Sequence, residues 1–333
     1  MNFLKNKVFL RIIGLFIFIY ILTKLDLSQT FDILKNLNWK YFILGLILFI
    51  PHILIKIYRW HRILYFQKIK LGFKELSHPY ISTYGLGIIT PWKVGELTRI
   101  SYLRKKNISL GMSSFSVFLD RLLDVILFIL VGVISMLFLL SFFKEYLIIT
   151  ALFLLATIVI SFFIIYKREL VLKLIIKLLP KKFKEKTHGL IFELWKEFKK
   201  INISFIIEAI LITAFSWLFF YLEVYLFSIA LNIDLTLIET IILVSISSIA
   251  NLLPISISGI GTRDATFIFL FSIFGFTSEQ ALALSLLILI MWAINAFFCM
   301  LFWWKKPIEL INENGGETNA KLGSDLGKDI QGE

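Results

Sequence analysis

The chain has little cysteine and histidine, and the few residues of each kind lie far apart. Cys299 is the single cysteine of 333 residues, which excludes an internal disulfide and any metal site built from several cysteines. The histidines have no spacing that would bring two of them to one ion; they are His52, His61, His78 and His188. The sequence therefore predicts no metal and no cofactor.

Motifs of the common soluble enzymes are also missing. There is no Walker loop, dinucleotide fingerprint, serine-hydrolase elbow or zinc-protease helix. The longest polar interval between apolar runs, about 167–202, is shorter than a typical catalytic domain. Any chemistry is expected within a membrane or at its surface.

Long apolar runs dominate the sequence instead. Hydrophobic residues make up 58% of the chain, and runs of about 20 of them, the length that crosses a bilayer, recur along it. The formal net charge is +12, and the basic residues flank the runs. This placement favours membrane topology and anionic lipid headgroups over nucleic acid as the reason for the charge. We predict an all-α polytopic membrane protein with an uncleaved first span.

About six full transmembrane helices are predicted from the apolar runs and from the basic residues beside them. Lys56 and Arg59 are interpreted as part of a basic cluster that follows the second span and marks the cytoplasmic side. The interval 167–202 holds eleven Lys and Arg against four Glu, so it is placed in the cytoplasm, with an amphipathic helix in its second half. The predicted spans are about 8–23, 41–57, 114–140, 146–166, 204–230 and 280–304.

The last span ends at Lys305 and Lys306, which should also be cytoplasmic. Both termini are then on the cytoplasmic side of the cell membrane. The tail 307–333 is polar and glycine-rich, and it is predicted to be disordered.

A further apolar segment, about 80–98, is interrupted by Pro91 and contains Gly95. Basic clusters lie on both of its flanks. A full span would place one of these clusters outside, whereas a re-entrant hairpin keeps both in the cytoplasm.

A second interrupted segment, about 236–278, contains Pro254, Gly259 and Gly261 and must begin and end outside. The order span, span, hairpin, span then occurs twice, and the second copy is inverted, as in transporters whose broken helices meet at the substrate site. An ordinary protein with eight kinked spans is the alternative. The single transmembrane domain, 1–306, divides into repeat halves of about 1–142 and 143–306.

Charged residues within the hairpins are candidate substrate-binding residues. In the first hairpin, Lys93 and the free backbone N–H groups of a helix start would attract an anion. Glu96 and Arg99 are three residues apart, so they share a helix face and can pair. In the second hairpin, apolar residues surround Arg263, and Asp264 is either functional or a helix cap.

The third span adds Asp120, Arg121 and Asp124 to the candidates. Asp120 and Asp124 face one way, which can hold Mg²⁺ against a phosphate, but the second acidic motif of a prenyl- or phosphotransferase is missing. A network of Arg121 with the carboxylates, holding the first hairpin, is preferred. Glu223 in the fifth span is a candidate for a proton or substrate path.

Four motifs resemble the lysylphosphatidylglycerol synthase transmembrane-region family of flippase-like membrane proteins, in the same order and over about 8–304. The motifs are Tyr58–Leu64, Thr90–Arg99, Asp120–Asp124 and Pro254–Asp264. Aspartate stands at 120 and 264, where glutamate is common in the family. The resemblance implies a lipid-translocating module. The cytoplasmic aminoacyl-transferase domain of the best-known relatives is expected to be absent.

The function predicted from these features is a flippase, not an enzyme, for a lipid with a charged headgroup: a phospholipid, an aminoacyl-phospholipid or a polyprenyl-linked lipid. Membrane lipids are its expected partners. An integral membrane transferase acting on a lipid-linked donor is one alternative. A non-catalytic partner of a separate lipid-modifying synthase is another.

Overall fold

The computed structural model describes residues 16–139, 181–251 and 259–307, and the elements in these ranges are helices. Residues 16–24 are helical. The remaining helices are α1 (Leu27–Lys35), α2 (Trp39–Phe66), α3 (Phe73–Ile89), a 3₁₀ helix (Pro91–Leu97), α4 (Thr98–Lys105), α5 (Leu110–Leu139), α6 (Lys181–Lys200), α7 (Ile203–Ala230), α8 (Leu237–Ala250), α9 (Thr262–Phe274) and α10 (Ser278–Lys305).

Four of the described helices, α2, α5, α7 and α10, are long and apolar enough to cross a membrane. Their outward faces are apolar as well: on α7, Ile203, Ile207 and Leu211 recur at every fourth position and are exposed. A helix facing water would carry polar residues on such a face. The chain is therefore a polytopic α-helical membrane protein.

The core of the bundle lies where α7 meets its neighbours. Gly45 on α2 allows the close packing of α2 along α7, since a Cβ atom there would lie 2.5 Å from the Phe227 ring. Phe227 belongs to a buried apolar cluster that also includes Leu243 of α8, Phe271 of α9 and Leu284 of α10. These contacts fix the second half of the chain as one packed unit.

The first interrupted segment breaks where the sequence predicts. Helix α3 ends at Ile89, Thr90 is extended, and Pro91 begins the 3₁₀ helix. The Gly95 N–H donates to Thr90 Oγ1 at 2.8 Å, and its Cα lies so close to Leu86 that the chain folds back against α3. The predicted roles of Pro91 and Gly95 in this turn are confirmed.

The second interrupted segment consists of α8 and α9, of 14 and 13 residues. Each is shorter than the roughly 20 residues that cross a bilayer. Gly259 and Gly261 have φ of +77° and +86°, a left-handed backbone that glycine adopts without steric cost. Their predicted role in tight turning is confirmed, whereas Pro254 lies outside the described residues.

Both flanks of the first segment lie at one end of the bundle. Lys106, after α4, places its ammonium 2.6 Å from Glu75 at the start of α3, and this hydrogen bond lowers the pKa of the Glu75 carboxyl. His78 on α3 forms a 2.9 Å hydrogen bond with the Phe302 carbonyl, near the end of α10.

The second segment packs into the apolar core. Leu235, just before α8, and Phe271, near the end of α9, belong to the same large apolar cluster, which also includes residues of α2, α5, α7 and α10. The preceding helix α7 ends beside the start of α2, since the Asn38 N–H donates to the Ala230 carbonyl at 2.8 Å.

The predicted spans at about 41–57, 114–140, 204–230 and 280–304 correspond to α2, α5, α7 and α10. The predicted amphipathic helix corresponds to α6, which packs on α5 through Leu194 and Phe198. The span at 146–166, half of the span at 8–23 and nearly all of the tail lie outside the described residues. The number of full spans stays a prediction.

We expect Gly95→Ala to destabilise the protein by about 1–3 kcal/mol, the usual cost of overpacking. The added Cβ would lie 2.5 Å from the backbone carbonyl of Leu86, which cannot move aside as a side chain would. Thermal unfolding of the purified protein measures the effect. Gly72→Ala is the control, because nothing lies within 4 Å of a Cβ there; equal losses in both variants would contradict the prediction.

Candidate functional site

Asp120 is the acceptor that joins four parts of the bundle. Its carboxylate, on α5, accepts from Arg59 Nε of α2 at 2.8 Å and from Tyr80 Oη of α3 at 3.1 Å. It also accepts from Arg99 Nη1 of α4 at 3.0 Å. Asp120 and Arg99 are both fully buried, so each charge depends on the other for compensation.

Asp124, one turn along α5, ties the same group to α7. It accepts from Arg59 Nη1 at 2.7 Å, from Lys56 Nζ at 3.0 Å and from Trp217 Nε1 of α7 at 2.9 Å. Arg59 also donates to Thr213 of α7 at 3.0 Å. The two aspartates therefore face one way, as the sequence predicts, and hold α2 against α5 and α7.

Glu96 links the 3₁₀ helix to the aspartates. It accepts from Arg99 Nη2 at 2.7 Å, which confirms that these residues pair, and it forms an ion pair with Arg121 of α5. The Arg99 guanidinium also stacks over the Tyr80 ring, 4.3 Å from its centroid. The first interrupted segment is thus fastened to α5 by charge, as the sequence analysis preferred.

We call this group of buried side chains the charge network. It contains four cationic and three anionic groups and therefore carries one excess positive charge. Removing paired charges from water is costly, so such a network persists only where each charge has close partners. Its members are Lys56, Arg59, Glu96, Arg99, Asp120, Arg121 and Asp124.

A cavity of about 170 Å³ lies between the two interrupted segments. The first segment contributes Thr90 and Lys93 to its wall, and the second contributes Asn251 and Gly259. Helices α2, α3, α7 and α10 close the sides, largely with aromatic residues: Phe49, Tyr84, Trp217, Phe220 and Trp292. The two interrupted segments therefore meet at a cavity that is lined by polar and aromatic residues.

Lys93 is the cationic residue of this wall. Its side chain is exposed, and no hydrogen bond or ion pair within the described chain engages its ammonium. Its backbone has φ of +56°, a left-handed conformation that costs a non-glycine residue about 1 kcal/mol or more. The local fold therefore maintains a strained backbone that carries a free ammonium group at the cavity.

The charges of the second segment form a separate cluster. Arg263 donates from Nε to Ser285 Oγ at 2.7 Å and lies over the Trp292 ring, 5.1 Å from its centroid. Asp264 accepts from the Gly261 N–H at 2.7 Å and from Ser285. Asp264 therefore caps α9, one of the two roles predicted for it, and the cluster braces α9 against α10 behind the cavity wall.

Of the predicted substrate-binding residues, only Lys93 lines the described cavity. The other members of the first segment and of α5 lie in the charge network, and Arg263 and Asp264 lie behind Trp292. Direct contact of these residues with a headgroup stays a prediction.

The interpretation of Lys56 and Arg59 as a cytoplasmic cluster was wrong. Both side chains are only 1% exposed and are paired with the aspartates. The reason is that α2 continues to Phe66, nine residues beyond the predicted span end, so both positions lie inside the bundle. Their spacing, with apolar Ile57, Trp60 and Ile63 on the same stretch, was the signal in the sequence for a buried helix face.

Comparison with known proteins agrees with this architecture. Residues 8–301 match the family described as lysylphosphatidylglycerol synthase TM region. The chain belongs to this family. It is also similar to a UPF0104 membrane protein of Methanocaldococcus jannaschii, with 28% identity over 301 residues, which cover 85% of this chain and 89% of that protein.

We expect Asp120→Asn to destabilise the folded protein by about 3–5 kcal/mol, because it removes one of the two carboxylates that compensate each of the buried Arg59 and Arg99. Thermal unfolding in detergent measures the loss. The matched control is Asp32→Asn, which breaks an exposed pair with Lys35 at 3.5 Å and should cost about 0–1 kcal/mol. Similar losses in the two variants would show that the network contributes no special stability.

Proposed function

We propose that this protein moves a lipid with a charged headgroup between the two leaflets of the cell membrane. The observation that carries the proposal is the cavity between the two interrupted segments, with a free ammonium in its wall. In transporters built from inverted repeats, discontinuous helices meet at the substrate site. The headgroup would cross through the cavity while the acyl chains stay in the surrounding lipid.

The charge of the site favours an anionic group on that lipid. Among the described residues Lys93 has no hydrogen-bond or ion-pair partner, and the adjacent charge network has one excess positive charge. Opposite charge at close range in a poorly hydrated space is a strong attraction. A phosphate entering from the membrane surface therefore has a binding partner in Lys93, and aromatic walls suit the glycerol and first acyl carbons.

A contact in the first segment and the helix lengths in the second support two re-entrant hairpins. The Lys106–Glu75 pair joins the two flanks of the first segment. The second segment consists of two helices, α8 and α9, each too short to cross a bilayer alone. With the basic residues as markers of the cytoplasm, the first hairpin opens inward and the second opens outward.

The engagement of the aspartates argues for transport over a transferase. Asp120 and Asp124 each accept from two basic side chains, so these carboxylates act as counter-ions of α2 and, through Arg99, of the first hairpin. A metal-dependent transferase would need them free to bind Mg²⁺ and a phosphate.

The hairpin topology is tested by labelling single cysteines in a Cys299→Ser background with a membrane-impermeant maleimide in whole cells. We expect Asp234→Cys and Glu279→Cys, which flank the second hairpin, to react from outside. Lys70→Cys and Arg104→Cys, which flank the first, should react only after permeabilisation. If the two flanks of one hairpin differ in accessibility, that segment is a full span; if this is found for both, the eight-span alternative holds.

Transport is tested with the purified protein in vesicles that contain phosphatidylglycerol labelled on an acyl chain, by chemical quenching of the outer leaflet. We expect Lys93→Gly to slow exchange by about ten-fold, corresponding to about 1.4 kcal/mol. Its folding should be unimpaired, since glycine relieves the strained backbone.

Lys68→Gly is the matched control, because Lys68 also has a positive φ, +64°, but is exposed away from the cavity. It should exchange lipid at the wild-type rate. A wild-type rate for Lys93→Gly would remove Lys93 from the path. Exchange no faster than in empty vesicles for every lipid tested, including phosphatidylethanolamine, would overturn the proposed function.

A further inference from the structure

Glu223 is a buried carboxyl group in the wall of the cavity. It lies on α7, one turn beyond Phe220, and lines the same space as Lys93. Its side chain is 0% exposed, and neither carboxyl oxygen has a hydrogen-bond partner in the described part of the chain. The charge network and the braces around Arg263 do not use it.

An ionised carboxylate without a partner is among the most costly groups to bury, whereas a protonated acid costs far less. A cation that neutralised Glu223 would need further ligands, and the described residues contain no group of three His, Cys, Asp or Glu that could hold a metal ion. A proton needs no such ligand set. The environment of Glu223 in this conformation therefore suits the protonated acid.

No other ionisable group in the described helices compensates Glu223. Lys93 and Tyr84 share the cavity wall but form no hydrogen bond or ion pair with it. The helices packed on α7 carry further charged or imidazole groups, and these groups contact residues other than Glu223 or lie near helix ends. They are Lys40, His52, Lys56, Arg59, His61 and Arg62 on α2; Asp120, Arg121 and Asp124 on α5; Glu239 on α8; and Glu279 and Lys305 on α10.

The protonation of Glu223 decides the net charge of the cavity wall. With Glu223 ionised, its charge cancels that of Lys93, and an anionic headgroup gains little on entering. With Glu223 protonated, the wall has a net charge of +1 and attracts a phosphate. An anion and a proton therefore favour each other in the cavity, and this linkage is reciprocal.

We infer that Glu223 is a proton-binding site of the cavity and that it binds a proton together with an anionic phosphodiester headgroup at Lys93. The proton comes from water and forms an O–H bond with one carboxyl oxygen; no other bond changes. Because it rests on the proposed lipid transport, the inference also supplies a coupling ion, so that a proton accompanies each anionic lipid.

The test is calorimetric titration of the full-length protein with short-chain phosphatidylglycerol, whose phosphodiester does not titrate near neutral pH. Titrations in MOPS and in Tris buffer, which differ in ionisation heat, give the number of protons bound with the lipid. We expect no proton uptake at low pH, where Glu223 of the lipid-free protein already carries its proton. At the higher pH where Glu223 of the lipid-free protein is ionised, we expect uptake approaching one proton per lipid, with affinity falling there by up to about ten-fold per pH unit.

Glu223→Gln, which resembles the protonated acid, should bind with the affinity that the wild type has at low pH, without proton uptake and without pH dependence. Asp234→Asn, at an exposed carboxylate outside the cavity, should behave as the wild type. These results together support the inference.

The inference is overturned by no binding of phosphatidylglycerol at any pH, by wild-type binding without proton uptake at every pH tested, or by unchanged pH dependence in Glu223→Gln. Tighter binding of short-chain phosphatidylethanolamine that is lost in Glu223→Gln would also overturn it, since the carboxylate would then pair with the amine.

The two proposals can fail separately. Proton-linked binding without leaflet exchange would support the proton site at Glu223 and refute transport. Leaflet exchange without proton linkage would refute only the role of Glu223.

Discussion

The pairing of Asp120 with Arg59 and Arg99 is the interaction on which the rest of the architecture depends. It connects α2, α4 and α5 at one point inside an apolar bundle. Through Arg99, and through the pairing of Glu96 with Arg99 and Arg121, the same interaction fastens the 3₁₀ turn of the first interrupted segment to α5. Buried charge is here the means of fixing the interrupted backbone.

The charge network that anchors the first segment does not include Lys93. The network satisfies Arg59, Arg99 and Asp120 among themselves, while Lys93, two residues beyond Pro91, extends into the adjacent cavity. The second segment is braced by Arg263 and Asp264 behind Trp292. The cavity thus lies between two segments that are each held by charged side chains, and Lys93 and Glu223 are in its wall.

Much of this organisation was predictable from the sequence because the membrane imposes strong rules on it. Apolar length and basic flanks predict α2, α5, α7 and α10, and the proline and glycines predict the broken segments. The spacing of Glu96 with Arg99, and of Asp120 with Asp124, predicts which side chains share a face, since a helix has a fixed period. The basic residues of α2 were misplaced because local charge does not reveal how far a helix continues into the bundle.

The sequence by itself determined that the chain is a polytopic helical membrane protein with two interrupted segments, because bilayer thickness and the cost of unpaired backbone groups act locally. Only the tertiary structure decided which charges neutralise one another. Arg59 meets Asp120 across 61 positions of the chain, and Lys56 meets Asp124 across 68. Within the part of the chain that the structure describes, that choice left Lys93 and Glu223 unpaired at the cavity, and no local pattern distinguishes these two from the charges that found partners.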